Sequence, residues 1–260
     1  MVVSVAAGAG RFPWIDSRKV RMSDTDISRV IQENLSTVLS DIARVCKRVN
    51  RASVEVKLVA VTKYAEWKWV EALAEIHSTF GENRPQQLAE RCVLLPHIQW
   101  HLIGQLQRNK AQQAVQTAAL IHSVDSDKLL HKIASVAEEM NVRPDVLLQV
   151  NVSGEQSKSG FAPNELLSLW MHLQQYAPLV NVVGLMTMAP ASDNPEEARA
   201  TFRGLCKLRD SINCQQIEST WNLSQLSMGM SGDFEVAIEE GATLVRIGSR
   251  LFEGLASAEG

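Results

Sequence analysis

Lys63 has the clearest capacity for covalent chemistry, since it closes the apolar run in VKLVAVTKY, residues 56–64. The run predicts a buried strand. If that strand is parallel to its neighbours, its carboxyl end lies where α/β folds bind ligands. A lysine at such a position, considered alone, is more often a solvated residue that leaves the sheet. The other strand ends decide between these two interpretations.

Polar and small residues also follow the other apolar runs. These segments are Gly81-Glu82-Asn83, Gly104-Gln105, Asn151-Val152-Ser153, Met186-Thr187-Met188, Ser227-Met228-Gly229-Met230-Ser231 and Arg246-Ile247-Gly248-Ser249-Arg250. Glu82 is the one acidic residue among them. Glycosidase chemistry, which needs a pair of carboxyl groups, is therefore disfavoured.

Two of these strand ends have the composition of an anion-binding loop. LSMGMSGD, residues 226–233, places small residues before a predicted helix whose free N–H groups can hold a phosphate. RIGS, residues 246–249, follows the last strand with a glycine and a hydroxyl. The final two loops of a (β/α)8 barrel are a frequent phosphate site. Serine and glycine are also ordinary turn residues, but their presence in both loops favours phosphate binding.

A primary amine near a phosphate site, without an acidic pair or metal ligands, indicates Schiff-base chemistry. Lys63 needs its neutral form for this, and desolvation at an apolar barrel mouth would favour that form. Two ligands fit: a sugar phosphate, as in a Schiff-base aldolase, or pyridoxal 5'-phosphate (PLP). Arg246 favours PLP, because a cofactor phosphate at Gly248-Ser249 would bring the pyridine nitrogen near the guanidinium.

The elements that position these residues follow from hydrophobic periodicity. Apolar residues at three- and four-residue steps predict a helix within residues 23–51. Amphipathic helical segments then separate eight apolar runs, at 56–63, 78–83, 98–104, 120–124, 146–152, 180–186, 223–228 and 243–248. This alternation predicts parallel strands joined by right-handed crossovers. We therefore predict an α/β fold, a single (β/α)8 TIM-type barrel within residues 22–256 with an extra N-terminal helix; an open doubly wound sheet is the alternative.

Residues 1–21 stand outside this pattern. Their small apolar start loosely resembles a signal peptide but has no basic region before it. Met22 then provides a second plausible start, followed by helix-capping residues. We interpret residues 1–21 as a disordered or mis-assigned leader rather than a targeting signal.

Composition excludes several classes of partner. With 26 basic and 29 acidic residues and a net charge of -3, the chain gives no electrostatic case for nucleic-acid or anionic-membrane binding. Its four scattered cysteines form no CxxC pair, which fits free thiols in a reducing cytoplasm. His97 and His101 would lie about 13 Å apart along a strand. We therefore expect a cytoplasmic monomer without a metal site.

The chain resembles the PLP-binding protein family often called pyridoxal phosphate homeostasis proteins, which is related in fold to the N-terminal barrel of alanine racemase. The matching stretches are AVTKY (60–64), FGEN (80–83), WHLIGQLQRNK (100–110), VNVSGEQSKSGF (150–161), GLMTMAP (184–190), LSMGMSGDFEVAIEEG (226–241) and VRIGSRLFEG (245–254). The resemblance covers nearly everything from about residue 23 to 254. The sequence departs from the family pattern at Arg84 and Pro85, where an aromatic and an aliphatic residue are more usual.

The resemblance implies a role for individual residues. Lys63 looks like the Schiff-base lysine of the family, and Arg246 looks like the residue that faces the pyridine nitrogen. The residues that look like the phosphate cradle are Ser227, Gly229, Ser231, Gly248 and Ser249. The residues that look like neighbours of the ring are Asn83, Asn151 and Met186.

Three functions follow from these observations. The first is a PLP carrier that buffers the cofactor or delivers it to apo-enzymes, with little or no catalysis. The second is a PLP-dependent amino-acid racemase, and the third is a Schiff-base aldolase without a cofactor. Racemisation needs a base on each face of the substrate α-carbon, and only Tyr64 and Tyr176 are available as tyrosine bases. The carrier is the favoured interpretation.

Overall fold

The computed structural model describes residues 23–155, 158–214 and 221–255. Within them, one closed parallel barrel is formed in which β8 pairs with β1. Its strands are β1 (Lys57–Val61), β2 (Thr79–Glu82), β3 (Gln99–Leu102), β4 (Leu120–Val124), β5 (Asp145–Gln149), β6 (Asn181–Met186), β7 (Gln225–Ser227) and β8 (Leu244–Ile247). The (β/α)8 prediction is confirmed. The leader predicted at residues 1–21 lies outside the described residues.

Helices surround the barrel, and one long helix precedes it. They are α1 (Asp24–Arg48), α2 (Trp67–Ala74), α3 (Pro85–Leu94), α4 (Ala111–Thr117), α5 (Asp127–Met140), α6 (Pro163–Leu173), α7 (Arg199–Cys214) and α8 (Phe234–Glu239). The extra N-terminal helix is thus also confirmed. Among the helices described, none has the length and apolar character needed to cross a membrane.

Side chains alternate between the barrel interior and the helix layer, because successive strand residues point to opposite faces. An interior cluster is formed by Val59, Leu120, Leu147, Met186 and Leu244. Three of the predicted strands extended two or three residues too far at their carboxyl ends, since β1 ends at Val61, β3 at Leu102 and β5 at Gln149. The residues beyond those points leave the barrel and form its mouth.

Helix α1 begins with a cap and ends with basic residues. Ser23 Oγ accepts a hydrogen bond from the backbone N–H of Asp26, and Lys47 and Arg48 complement the helix dipole in the last turn. The helix packs against α2, α8 and a short 3-10 helix, Ser249–Phe252.

Two side chains of α1 hold the segment that follows β8. Asn34 Nδ2 donates to the carbonyl oxygens of Leu251 and Glu253, at 3.2 and 2.9 Å. Asp41 forms an ion pair with Arg250 at 2.7 Å. The predicted extra helix is therefore fastened to the chain immediately after the loop that contains Gly248 and Ser249.

We expect Gly184→Ala to lower the free energy of unfolding by about 1–3 kcal/mol. A Cβ atom at this position of β6 would lie 1.9 Å from the backbone oxygen of Gln225 on β7, so the two strands would have to move apart. Gly232→Ala is the matched control, because a Cβ atom there meets nothing within 4 Å. Urea unfolding of both variants measures the difference, and equal stabilities would contradict the expectation.

Candidate functional site

A cleft of about 540 Å³ opens at the carboxyl-terminal end of the barrel. It is lined by Val61, Lys63, Tyr64, Ala65, Trp69, Asn83, Ile103, Met188, Met230, Ser231, Arg246, Gly248, Ser249 and Phe252. Lys63 and Arg246 contribute two cations, and no described residue of this lining carries a carboxylate. The cleft therefore combines apolar walls with a net positive charge, which suits an anion that has an apolar body.

Lys63 lies just beyond the end of β1. The strand ends at Val61, and the backbone N–H of Thr62 donates to the carbonyl of Gly81 on β2 at 3.1 Å. Lys63 itself is exposed, with its Nζ 5.0 Å from the ring centroid of Tyr64. The desolvation expected from the sequence is therefore not met, because the chain has already left the barrel at this residue and the mouth is open.

A buried ionic group anchors the strand end beneath Lys63. Arg91 of α3 forms an ion pair with Glu82 at the end of β2, and it also donates to the carbonyl of Thr62 at 3.1 Å. The Thr62 hydroxyl donates to the same carboxylate, and the N–H of Asn83 donates to Glu82 Oε2 at 3.3 Å. Glu82 thus ties together the ends of the neighbouring strands β1 and β2, next to Lys63 and Asn83.

The loops after β7 and β8 meet beside β1. The N–H of Gly248 donates to Ser231 Oγ at 3.3 Å. Gly229 has a φ of +91°, and a Cβ atom there would lie 2.5 Å from Cβ of Ala237, so glycine is required for this turn. The arrangement places Ser231, Gly248 and Ser249 in one wall of the cleft, as the anion-loop hypothesis requires.

Arg246 is a buried cation that faces the cleft. Its Nη1 donates to Ser227 Oγ at 2.6 Å and its Nη2 donates to the carbonyl oxygen of Thr187 at 3.1 Å. Burial lowers the pKa of the guanidinium to about 10, and Asp233 opposes this shift, so Arg246 remains charged at neutral pH. In the described residues no carboxylate lies within ion-pair distance of it. Its two hydrogen-bond acceptors are neutral, so its charge is influenced by Asp233 only at a distance and is not neutralised by a direct ion pair.

Of the ten predicted site residues, the structure brings six to the cleft: Lys63, Asn83, Ser231, Arg246, Gly248 and Ser249. The other four are not in its lining. Ser227 is buried beneath Arg246, and Gly229 supports the turn before Ser231 through its carbonyl, which accepts from the N–H of Arg246 at 3.0 Å. Met186 belongs to the interior cluster.

Asn151, the fourth residue outside the lining, organises its own loop. Its Nδ2 donates to the carbonyl oxygens of Glu155 and Lys158, and its Oδ1 accepts from the N–H of Gly154 at 3.0 Å. Asparagine side chains commonly bond local backbone in this way. The family resemblance implies that Asn151 is a neighbour of the cofactor ring, and in the structure its side chain bonds the backbone of its own loop.

Sequence reasoning missed a pair of buried histidines. His101 Nδ1 lies 3.0 Å from His122 Nε2, and both side chains point into the barrel interior from β3 and β4. Both are titratable residues within predicted strands that are mostly apolar, which was the available signal. His97, the other member of the pair rejected as a metal site, does not take part in this contact. Across the described ranges, no group of three or more His, Cys, Asp or Glu side chains is arranged to hold a metal ion.

We expect these histidines to make the protein acid-sensitive. Burial, reinforced by Lys57, lowers the pKa of His101 from 6.5 to about 4, and burial, His101 and Arg246 lower the pKa of His122 well below its ordinary value. The unfolded chain binds these protons more readily. The contribution of the two neutral histidines to the free energy of unfolding is therefore complete above pH 6.5. It falls as the pH drops toward the folded-state pKa, by up to ~1.4 kcal/mol per pH unit for each histidine.

Urea unfolding at several pH values between these limits measures this loss. The matched variants are His101→Gln, which should flatten the dependence, and His172→Gln on the exposed face of α6, which should not. The expectation fails if all three proteins have the same slope.

The parallel barrel is of the class found at the N-terminus of alanine racemases. Residues 33–255 match the family model "Alanine racemase, N-terminal domain". An alanine racemase from Clostridium difficile 630 has the same fold, with a TM-score of 0.67 at 16% identity over 88% of this chain and 58% of that one.

Within that class the similarity to individual proteins is more specific. The chain is 42% identical over 226 residues to the pyridoxal phosphate homeostasis protein of Aquifex aeolicus (strain VF5), covering 85% of this chain and 96% of the relative. The human protein of that name is 36% identical over 212 residues, 77% of each chain. PipY of Synechococcus elongatus PCC7942, solved with PLP bound, has a TM-score of 0.73 at 33% identity, covering 85% and 99%. The chain belongs to the pyridoxal phosphate homeostasis protein family.

Proposed function

We propose that this protein binds pyridoxal 5'-phosphate and takes part in homeostasis of the cofactor, by buffering it and delivering it to other proteins. The observation that carries the proposal is the composition of the cleft: Lys63 and Arg246 face one cavity together with the Ser231 and Gly248-Ser249 loops, and no described lining residue is acidic. A phosphorylated aldehyde with an aromatic ring matches these features. The names of the relatives and the PLP-bound PipY structure support the same ligand.

Each part of the cofactor has a chemically matched partner in the cleft. Ser231, Gly248 and Ser249 would hold the phosphate through hydroxyl and backbone N–H groups. The Lys63 amine would condense with the aldehyde carbon, with the release of one water molecule. Gly248 allows the loop after β8 to pack closely on the end of β1, since a Cβ atom there would lie 3.0 Å from the carbonyl oxygen of Val61.

The remaining predicted residues take supporting roles in this proposal. Asn83 lines the cleft and would contact the ring directly. Ser227 and Gly229 act on the cofactor through Arg246 and the loop that contains Ser231. Asn151 and Met186 shape the neighbouring loop and the interior beneath the ring.

We further propose that the protein is a carrier rather than an enzyme. The chemistry that PLP supplies is an electron sink for carbanions, which a protonated pyridine nitrogen strengthens. Arg246 is charged and can only donate hydrogen bonds, so it would disfavour that protonation. Racemisation also needs a second base. Tyr64 has its ring 5.0 Å from the Lys63 amine, on the same side of the site, and Tyr176 packs against His131 and His172 on the helix layer.

We expect the PLP-loaded protein to have negligible racemase, transaminase and decarboxylase turnover with common amino acids, and to transfer PLP to an apo-enzyme. The recipients proposed are PLP-dependent apo-enzymes of the cytoplasm. Chiral analysis of alanine measures the first outcome, and recovery of activity by an added apo-enzyme measures the second. Wild-type racemisation at a rate typical of enzymes, roughly 1–10³ s⁻¹, would favour the racemase instead.

A further inference from the structure

Four polar side chains form a hydrogen-bonded chain through the barrel. His101 Nδ1 is 3.0 Å from His122 Nε2, His122 Nδ1 is 2.8 Å from Ser227 Oγ, and Ser227 Oγ is 2.6 Å from Nη1 of Arg246. His122 and Ser227 are fully buried, His101 is 6% exposed and Arg246 is 4% exposed. Since β4 and β7 are not neighbours in the barrel, the contact between His122 and Ser227 crosses its interior.

We propose that His101, His122 and Ser227 are positioning residues, which hold the Arg246 guanidinium in the orientation that the ligand meets. This inference rests on the proposed function, in which Arg246 contacts the cofactor ring. None of the three other residues lines the cleft. Their influence on a ligand would therefore pass through Arg246.

The donors and acceptors of the chain can be assigned from its cleft end. An arginine has only donors, so Ser227 Oγ accepts from Arg246. The single hydroxyl hydrogen of Ser227 is then free to point at His122 Nδ1, which accepts it. A neutral His122 consequently carries its proton on Nε2 and donates to His101 Nδ1. Every hydrogen bond is then donated in one direction, from Arg246 to Ser227, from Ser227 to His122 and from His122 to His101, and both imidazoles are neutral.

Protonation of His122 would reverse this arrangement. Its Nδ1–H would compete with Arg246 for the Ser227 oxygen, and a second positive charge would stand two hydrogen bonds from the guanidinium. The charged groups that act on the chain are Lys57 below His101, Arg246 itself, and Asp233 near Arg246. The neutral acceptors therefore fix the orientation of the Arg246 guanidinium and leave its positive charge in place. A carboxylate in the place of Ser227 would neutralise that charge.

The first test uses the ligand-free protein. In nitrogen–proton NMR spectra of the wild type, we expect the Arg246 Nη hydrogens to give resolved signals because two of them are held, and His122 to carry its proton on Nε2. Ser227→Ala and His122→Leu should broaden the signals of the Nη1 hydrogens, which lose their fixed acceptor, while Nη2 stays held by the carbonyl of Thr187. His122→Asn, which keeps an acceptor near Ser227, should preserve them.

Leu147→Ala is the matched control for lost stability. Leu147 belongs to the same barrel interior and is not a member of the hydrogen-bonded chain. It should lower the melting temperature without changing the Arg246 signals. Nη1 signals that stay as resolved in Ser227→Ala and His122→Leu as in the wild type, or a proton on His122 Nδ1, would overturn the proposal.

The second test measures PLP binding. We expect Ser227→Ala and His122→Leu to weaken PLP binding at least ~10-fold, because a hydrogen bond to a charged group is disturbed, and His122→Asn and Leu147→Ala to stay near the wild type. Equal affinities in all four variants would count against a positioning role. A wild-type protein that does not retain PLP would instead refute the proposed function. The spectra of the ligand-free protein would still decide whether His101, His122 and Ser227 hold Arg246.

Discussion

Lys63→Ala is expected to abolish covalent retention of PLP. Borohydride reduction of the PLP-loaded wild type should attach one pyridoxyl-phosphate group to the peptide that contains Lys63, whereas the variant should leave the mass of the chain unchanged. The physical reason is that Lys63 is the amine that lines the cleft, next to the loops proposed to hold the phosphate. Absorbance spectra before and after reduction, with intact-mass and peptide analysis, measure the outcome.

Lys110→Ala provides the matched control for this experiment. Lys110 is the last residue of a short 3-10 helix, Arg108–Lys110, that precedes α4, and it is not part of the cleft lining. It should bind and trap PLP as the wild type does. Recovery of the label mainly on Lys110 or Lys158 would show that the assignment of Lys63 is wrong.

Ser231→Asp should weaken PLP binding by at least ~100-fold, because two like charges about 4 Å apart repel by ~4 kcal/mol at an effective dielectric constant of 20. Ser231 Oγ accepts from the N–H of Gly248, so a carboxylate there would occupy the N–H group proposed for the phosphate as well as repel the dianion. Equilibrium titration followed by absorbance measures the dissociation constant.

Two comparisons make that titration specific for the phosphate. Ser53→Asp adds the same charge at an exposed serine between α1 and β1 and should leave the affinity unchanged. Pyridoxal without its phosphate should bind the wild type weakly and should lose much less affinity in Ser231→Asp. If PLP and pyridoxal lose the same factor, the loops after β7 and β8 are not the anion site.

The fold could be predicted because its signal is repeated along the chain. Each strand is a short apolar run bounded by an amphipathic helix, and parallel pairing then brings every carboxyl end to one face. This was sufficient to place Lys63 beside Gly248 and Ser249, since β1 and β8 are neighbours when the barrel closes. The ends of β1, β3 and β5 were predicted two or three residues too late, because the apolar run continues through residues that have already turned away from the ladder.

The depth of a side chain was the part of the site that the sequence could not provide. Ser227 and Ser231 are four residues apart in one loop motif, yet Ser227 is buried on β7 and Ser231 lines the cleft. Depth depends on how far each strand is shifted relative to its neighbours, and that shift comes from packing of the whole barrel. The contact of His101 with His122 depends on the same shift, so two isolated histidines in the sequence gave no indication that they meet.

Hydrogen bonds and an ion pair join α1, near the start of the described residues, to the segment 250–253 near their end. Asn34 and Asp41 hold the segment directly after Gly248 and Ser249, so local opening of α1 would free one wall of the proposed phosphate site. A ligand bound there would favour the closed form by mass action. Helix α1 and the last loop would then behave as one cooperative unit. Amide hydrogens of α1 should exchange with solvent more slowly in the loaded protein, although α1 contributes no residue to the lining of the cleft.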